Sequence, residues 1–216
     1  MKKLLILVAL LTITTSCKRE GDGLRFKEEY EGLNGTTSVS GQEYLSINIS
    51  KDNVIKYSTI DELIHILNSG TGVIYLGYPE CSWCRSAVDC LLYAADSTEL
   101  DTIYYLNMLN VRDRLSLDSD GNIMTEVEAS EGYYDLVEVL SPILDDYILT
   151  SSNGDSVNTG KKRIYVPIVI FVKDGNIVYH HVNTVSTQID PYVSLTDEEK
   201  DELINIYKDG IMKTIN

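Results

Sequence analysis

The stretch Val73-Ile-Tyr-Leu-Gly-Tyr-Pro-Glu-Cys-Ser-Trp-Cys84 constrains this chain more than any other. Its successive apolar residues, rich in β-branched and aromatic types, read as a buried strand. The strand runs straight into a Cys-x-x-Cys pair, after which Val88, Leu91, Leu92 and Ala95 recur at helical spacing. Strand, tight turn and amphipathic helix must therefore follow one another, which is the unit of an α/β fold. Two cysteines three positions apart can close a small disulfide. The first, Cys81, stands where the unpaired N–H groups and dipole of a helix start favour a thiolate, the species that attacks.

The flanking residues extend this unit. Tyr44 to Ile49 alternates weakly and suggests a first strand, with Val54 to Tyr57 a second candidate. Thr59 and Glu62 form a capping box before a helix whose apolar face is Leu63, Ile66 and Leu67, stopping near Gly70. Thr102 to Met108 is another strand candidate, and Leu115 to Met124 reads as a hairpin turning on Asp120-Gly121. That turn is a poor calcium loop: with Gly121 at the sixth position, Ser116 and Val127 fall where carboxylates are needed. Tyr133 to Tyr147 reads as a helix, kinked or restarted at Ser141-Pro142, and Ser151 to Gly160 as a polar loop. Ile164 to Val172 is a strand with Pro167 inside it, and a cis Val166-Pro167 bond would end its pairing there. The turn Lys173-Asp-Gly-Asn176 leads into a partner strand Ile177 to His181. A second capping box, Thr196 and Glu199, opens a closing amphipathic helix through Leu203, Ile204, Tyr207 and Ile211.

The start of the chain suggests where it works. Met1-Lys2-Lys3, the apolar run Leu4 to Ile13 and Thr14-Thr15-Ser16-Cys17 read as an export signal over residues 1–16, too short to span a bilayer comfortably. A cysteine directly after a small residue resembles the lipobox of bacterial lipoproteins, which implies lipidation of Cys17, although Thr14 replaces the usual leucine. Simple secretion is the alternative. Residues 17–43, rich in Gly, Ser, Thr and charge, read as a flexible tether, and 44–216 as the folded domain. The whole chain carries a formal charge of −15, an acidic balance that argues against nucleic acid and against broad contact with anionic lipid. With Cys17 set aside, Cys81, Cys84 and Cys90 remain, too few for a disulfide framework. Cys90 lies about 240° around the helix from Cys84 and is expected to pack rather than join the pair.

The order of elements, with Tyr78-Pro-Glu-Cys-Ser-Trp-Cys-Arg85 and Pro167-Ile-Val-Ile-Phe-Val-Lys-Asp-Gly-Asn-Ile-Val178, resembles the thioredoxin fold over roughly residues 54–215. Within that superfamily, residues 163–211 and the Gly-Tyr-Pro-x-Cys-x-x-Cys-Arg start are similar to bacteriocin transport accessory proteins. The resemblance implies an α/β domain with a central mixed sheet flanked by helices and an insertion at about 113–160 that shapes a substrate surface. It implies Cys81 as the exposed nucleophile, Cys84 as the resolving cysteine, and a Cys81-Cys84 redox disulfide. Val166 and the cis-proline Pro167, with Trp83 and Pro79, would meet substrate; Trp83 could equally be a lid on the local core. Two departures stand out. Tyr75 occupies the position of the buried acid of thioredoxin, and Ser82-Trp83 lies between the cysteines with Glu80 before them. A neighbouring carboxylate raises a thiol pKa while the helix start lowers it, and spacing does not say which prevails.

These readings make the chain a thiol-disulfide oxidoreductase on the outer face of a bacterial cell membrane, a monomer without metal or cofactor. It would act on protein thiols and disulfides and be served by a membrane redox partner. The competing reading is a membrane-anchored accessory or binding module whose Cys pair is a structural disulfide.

Overall fold

The computed structural model describes residues 21–151 and 153–215. Residues 1–16, expected to be an export signal, and Cys17 lie outside the described residues. The protein is an α/β molecule: a five-stranded mixed sheet carries helices on both faces. Strands β1 (Ile55–Tyr57), β2 (Gly72–Gly77) and β3 (Ile103–Asn107) are parallel; β8 (Ile168–Lys173) runs antiparallel to β2, and β9 (Asn176–Val182) antiparallel to β8. Their spatial order is β1-β3-β2-β8-β9.

Both faces of the sheet are buried, which is why β2 and β8 read as unbroken apolar runs. Val73, Tyr75, Ile103, Tyr105, Val169 and Phe171 point to one core, shared with helices α1 (Asp22–Glu31), α3 (Ser82–Ser97) and α5 (Asp197–Ile215). Ile74, Leu76, Ile168, Ile170 and Val172 point to the other, covered by α2 (Ile60–Ser69) and α4 (Tyr133–Leu140). The expected caps are formed: Thr59 and Glu62 exchange side-chain and backbone hydrogen bonds at α2, as do Thr196 and Glu199 at α5. In the middle of α5, Gly210 lets Phe171 approach; a Cβ there would stand 2.5 Å from the ring.

The N-terminal segment departs most from its sequence. The expected tether over 17–43 is contradicted by α1, whose Phe26 and Tyr30 are fully buried in the first core. Only this narrow i, i+4 stripe of apolar side chains is buried; Leu24 is exposed, and the i, i+4 ion pairs Arg25–Glu29 and Lys27–Glu31 flank the stripe, where they meet Tyr57 and the Ile49 backbone. A stripe of two residues among so many charges gives no visible period. Asp22 accepts the Tyr57 N–H at 3.0 Å, tying α1 to the edge strand. The folded body therefore begins before residue 44.

Tyr44, Ile47 and Ile49 are buried, yet the segment Tyr44 to Ile49 is not a ladder strand. Side chains take the place of a neighbouring strand. Asn34 pairs with both backbone groups of Ile47, Glu31 accepts the Ile49 N–H, Lys27 donates to its carbonyl, and Arg85 donates to that of Leu45. The alternation marks burial, not sheet pairing.

Between β3 and β8 the expected insertion resolves into two hairpins around a helix of the body. The first, β4 (Arg114–Leu117) with β5 (Ile123–Val127), turns where expected, and the Asp118 carboxylate accepts the Asp120 and Asn122 N–H groups. Helix α4 buries Tyr133, Leu136, Val137 and Leu140 in the second core, so it does not belong to the insertion. It stops at Leu140; a 3₁₀ turn over Ser141–Ile143 holds Pro142, and Tyr147 lies in β6 (Asp146–Thr150) rather than in a helix. The supposed polar loop 151–160 contains most of β7 (Ser156–Lys162), which pairs with β6. One face of that hairpin is partly buried through Tyr147, Leu149 and Val157, but β7 itself is built of polar residues around a single valine, so no apolar alternation signals it. The strand expected from Ile164 begins its pairing at Ile168, and the Val166–Pro167 bond is cis.

Candidate functional site

The site sits at one end of the sheet because of topology. The C-terminal ends of β2 and β3 and the start of antiparallel β8 lie together there. This gathers the Tyr78-to-Arg85 turn, Arg112 and the Val166–Pro167 bond, which are far apart in sequence. The roots of both hairpins emerge from the same end.

Cys81 is the N-cap of α3. Its sulfur accepts the Cys84 N–H at 3.3 Å, doing for the helix what a serine or aspartate usually does. Its thiol also lies 3.7 Å from the Val166 carbonyl oxygen. The hydrogen bond from the Cys84 thiol is the main force holding the Cys81 pKa below its ordinary value. The backbone N–H groups of Cys84 and Trp83 and the Arg112 charge act in the same direction against burial. The balance that spacing left open therefore falls toward thiolate. Cys84 is fully buried, and burial drives its pKa well up, with the neighbouring Cys81 sulfur adding to the rise. Two thiols one helical turn apart are thus polarised in opposite directions. Cys81, Cys84 and Cys90 are all free thiols.

The expected exposure of Cys81 is corrected: the residue is only 9% exposed. Its surroundings include Val166 and the half-buried Tyr78, whose hydroxyl accepts from Arg112 at 2.6 Å. Pro79 is buried within the turn and offers no exposed face to a substrate, which removes it from the expected rim. Pro167 is buried, whereas Val166 and Trp83 are partly exposed near the pair. Cys90 packs in the first core, as expected, and burial pushes its pKa up to about 11. Among the described residues, no group of three or more His, Cys, Asp or Glu side chains could hold a metal ion.

Three residues escaped the sequence reading. Arg112 follows an apolar strand by a few positions, and nothing local marks it as a neighbour of Cys81. Arg85 looks like an ordinary exposed helix residue but is 1% exposed. It donates to the carbonyls of Leu45 and Tyr30 and to Asn34 Oδ1 at 2.7–2.9 Å, fastening the N-terminal segment to the helix that bears the cysteines. Tyr30, hidden in the supposed tether, reaches under the site: its hydroxyl lies 2.9 Å from that of Tyr75, and the Tyr75 hydroxyl stands against the Cys84 thiol. Comparison with protein-family models, with curated proteins and with solved structures returned no match.

Proposed function

We propose that the protein is a thiol-disulfide oxidoreductase of thioredoxin-like fold, acting through Cys81 and Cys84. One observation carries this reading: a Cys-x-x-Cys pair whose first sulfur caps a helix and is biased to thiolate, while the second is buried and biased to thiol. A static disulfide has no use for such asymmetry. The strand order, with the pair after β2 and a cis-proline before β8, supports the fold assignment.

In this mechanism the Cys81 thiolate attacks a substrate disulfide. A bond forms between Cys81 Sγ and one substrate sulfur, the substrate S–S bond breaks, and the other sulfur leaves as a thiolate that takes up a proton. Cys84 then loses its proton, and its sulfur attacks Cys81 Sγ. The mixed disulfide breaks, and the second substrate thiolate departs and is protonated. Two electrons have passed from the protein dithiol to the substrate; oxidation of a substrate is the same path reversed. The partly exposed Val166, its carbonyl next to Cys81, is the backbone against which a substrate peptide would lie, with Trp83 and Arg112 close by. Protein thiols and disulfides outside the cytoplasm are the substrate class, and a membrane partner would restore the pair.

If Cys17 carries a lipid, only Lys18 to Gly21 separate it from α1, a reach of about 13 Å when fully extended. The site would then work close to the membrane surface rather than on a long leash.

The deciding experiment is equilibration of the protein against defined dithiothreitol and glutathione buffers with thiol trapping. A potential between about −120 mV and about −270 mV is expected. Alkylation of Cys81 should titrate below the ordinary thiol value of 9.0. A potential well below about −300 mV would make the pair a structural disulfide and turn the protein into an anchored accessory module.

A further inference from the structure

We infer that the hydroxyls of Tyr75 and Tyr30 form a donor chain aimed at Cys84 that stabilises its sulfur during the second half of the exchange. The inference rests on the oxidoreductase reading and assigns two residues to it: Tyr75, whose hydroxyl neighbours the Cys84 sulfur and would donate to it as charge develops there, and Tyr30, a positioning residue that acts through Tyr75.

Cys84 presents a chemical difficulty. It must become a thiolate to attack Cys81, yet it is fully buried, where an uncompensated negative charge is costly. The titratable groups that face it are Cys81 and Tyr78 on the turn, Tyr75 on β2, Tyr105 on β3, Tyr30 on α1 and Tyr207 on α5. All are thiols or phenols, and the phenols keep their protons at neutral pH because burial raises them further. A phenol in such a place cannot serve as a base. It can donate, and a donor meeting a developing anion in a dry site makes one of the stronger hydrogen bonds.

The geometry provides such a donor. The Tyr75 ring lies alongside the last residue of β2, and a Cβ on Gly77 would stand 2.5 Å from the Tyr75 oxygen. Glycine at that position leaves room for the hydroxyl to reach the cysteine helix. The Tyr30 hydroxyl lies 2.9 Å away; when it donates to the Tyr75 oxygen, the Tyr75 proton is directed to the sulfur. Tyr105 is engaged elsewhere, donating to the Gly77 carbonyl at 3.3 Å. The Tyr30 ring is fixed by contact with Phe26, centroids 4.5 Å apart, and its backbone carbonyl by Arg85. In the resolving step the Cys84 proton passes to the departing substrate thiolate, directly or through water. The Cys84–Cys81 bond forms as the mixed disulfide breaks, and Tyr75 keeps its own proton throughout.

The test follows the reduced full-length chain, in a Cys17→Ser, Cys90→Ala background that leaves only the Cys81 and Cys84 thiols, as it reacts with 5,5′-dithiobis(2-nitrobenzoate). Attack by Cys81 releases one equivalent of thionitrobenzoate and resolution by Cys84 releases the second, so the two steps are read separately. Tyr75→Phe should leave the first phase unchanged, slow the second about tenfold at neutral pH and move its pH profile upward, the rate equivalent of one lost hydrogen bond to a charged sulfur. Tyr30→Phe should do the same about threefold. The double variant removes both hydroxyls together and so limits orphaned partners should a single variant fold poorly. Gly77→Ala, which displaces the hydroxyl without removing it, should mimic Tyr75→Phe. An unchanged second phase in Tyr75→Phe, or both phases slowed alike, overturns the donor chain while leaving the oxidoreductase reading intact. A parent protein that never releases the second equivalent overturns that reading and the donor chain with it.

Discussion

Two regions look equally peripheral in the sequence and are built in opposite ways. The N-terminal segment, residues 21–50, is threaded into the first core: Phe26 and Tyr30 are fully buried, and Arg85 and Asn34 bind its backbone on both sides of the turn that follows α1. The hairpins between β3 and β8 stand off the body. Every residue of β5 is exposed, and a groove of about 810 Å³ lies between the two hairpins. Their attachment is concentrated at the root, where Arg163, just after β7, pairs with Asp113, just before β4, at 3.1 Å and stacks on Tyr147. A polar segment can thus belong to the core through very few residues, and a segment rich in strand formers can remain outside it.

The largest expected effect comes from removing each region. Deleting residues 21–50 exposes the β1, β3 and α3 surfaces that Phe26 and Tyr30 cover, and circular dichroism should show no cooperative thermal transition. Replacing Leu115 to Thr125 by a short turn should keep a cooperative transition and both phases of thiol release, while changing the preference among protein substrates. Equal loss in the two deletions would end the distinction.

Single charges sharpen it. Arg85→Met leaves the buried Tyr30 carbonyl and the partly buried Leu45 carbonyl without their side-chain donor, and Asn34 Oδ1 with only the Ile47 N–H, and should cost about 4 kcal/mol in urea unfolding. Arg163→Met leaves Asp113, 2% exposed, with the Tyr134 hydroxyl as a remaining partner, and should cost about 3 kcal/mol. If the Arg163 variant proves the more damaging, the hairpin root matters more to the fold than the N-terminal clamp.

The smallest effect is expected at the hairpin surface. Arg114 and Glu126 pair at 2.7 Å across β4 and β5, with side chains 66% and 44% exposed. Arg114→Ala should cost under about 0.5 kcal/mol, because water screens the pair and two long side chains must be ordered to make it. A larger loss, measured in the same urea titration, would mean that the hairpin is coupled to the core beyond its root.

Much of the fold was legible because its signals are local. The run Val73 to Leu76, the two capping boxes, the Asp120-Gly121 and Asp174-Gly175 turns and the α3 periodicity each specify their element within a few residues. The failures have two causes. Helix α1 and the 44–49 segment are placed by partners far along the chain, the sheet face and Arg85, which no short window shows. Strand β7 pairs with its near neighbour β6, but its polar, mostly exposed residues carry no apolar period.

By itself, the sequence determined the strand-turn-helix unit, the spacing that makes Cys81 the cap of α3 and Cys84 its neighbour one turn on, and the proline that precedes β8. Tertiary structure alone decided which charges and hydroxyls face those sulfurs. Arg112 arrives at the end of β3, the Val166 carbonyl at the start of β8, and Tyr30 from a helix that composition disguised. Thiol chemistry depends on solvation and on donors within a few ångströms, and such distances are properties of the folded sheet rather than of any stretch of chain.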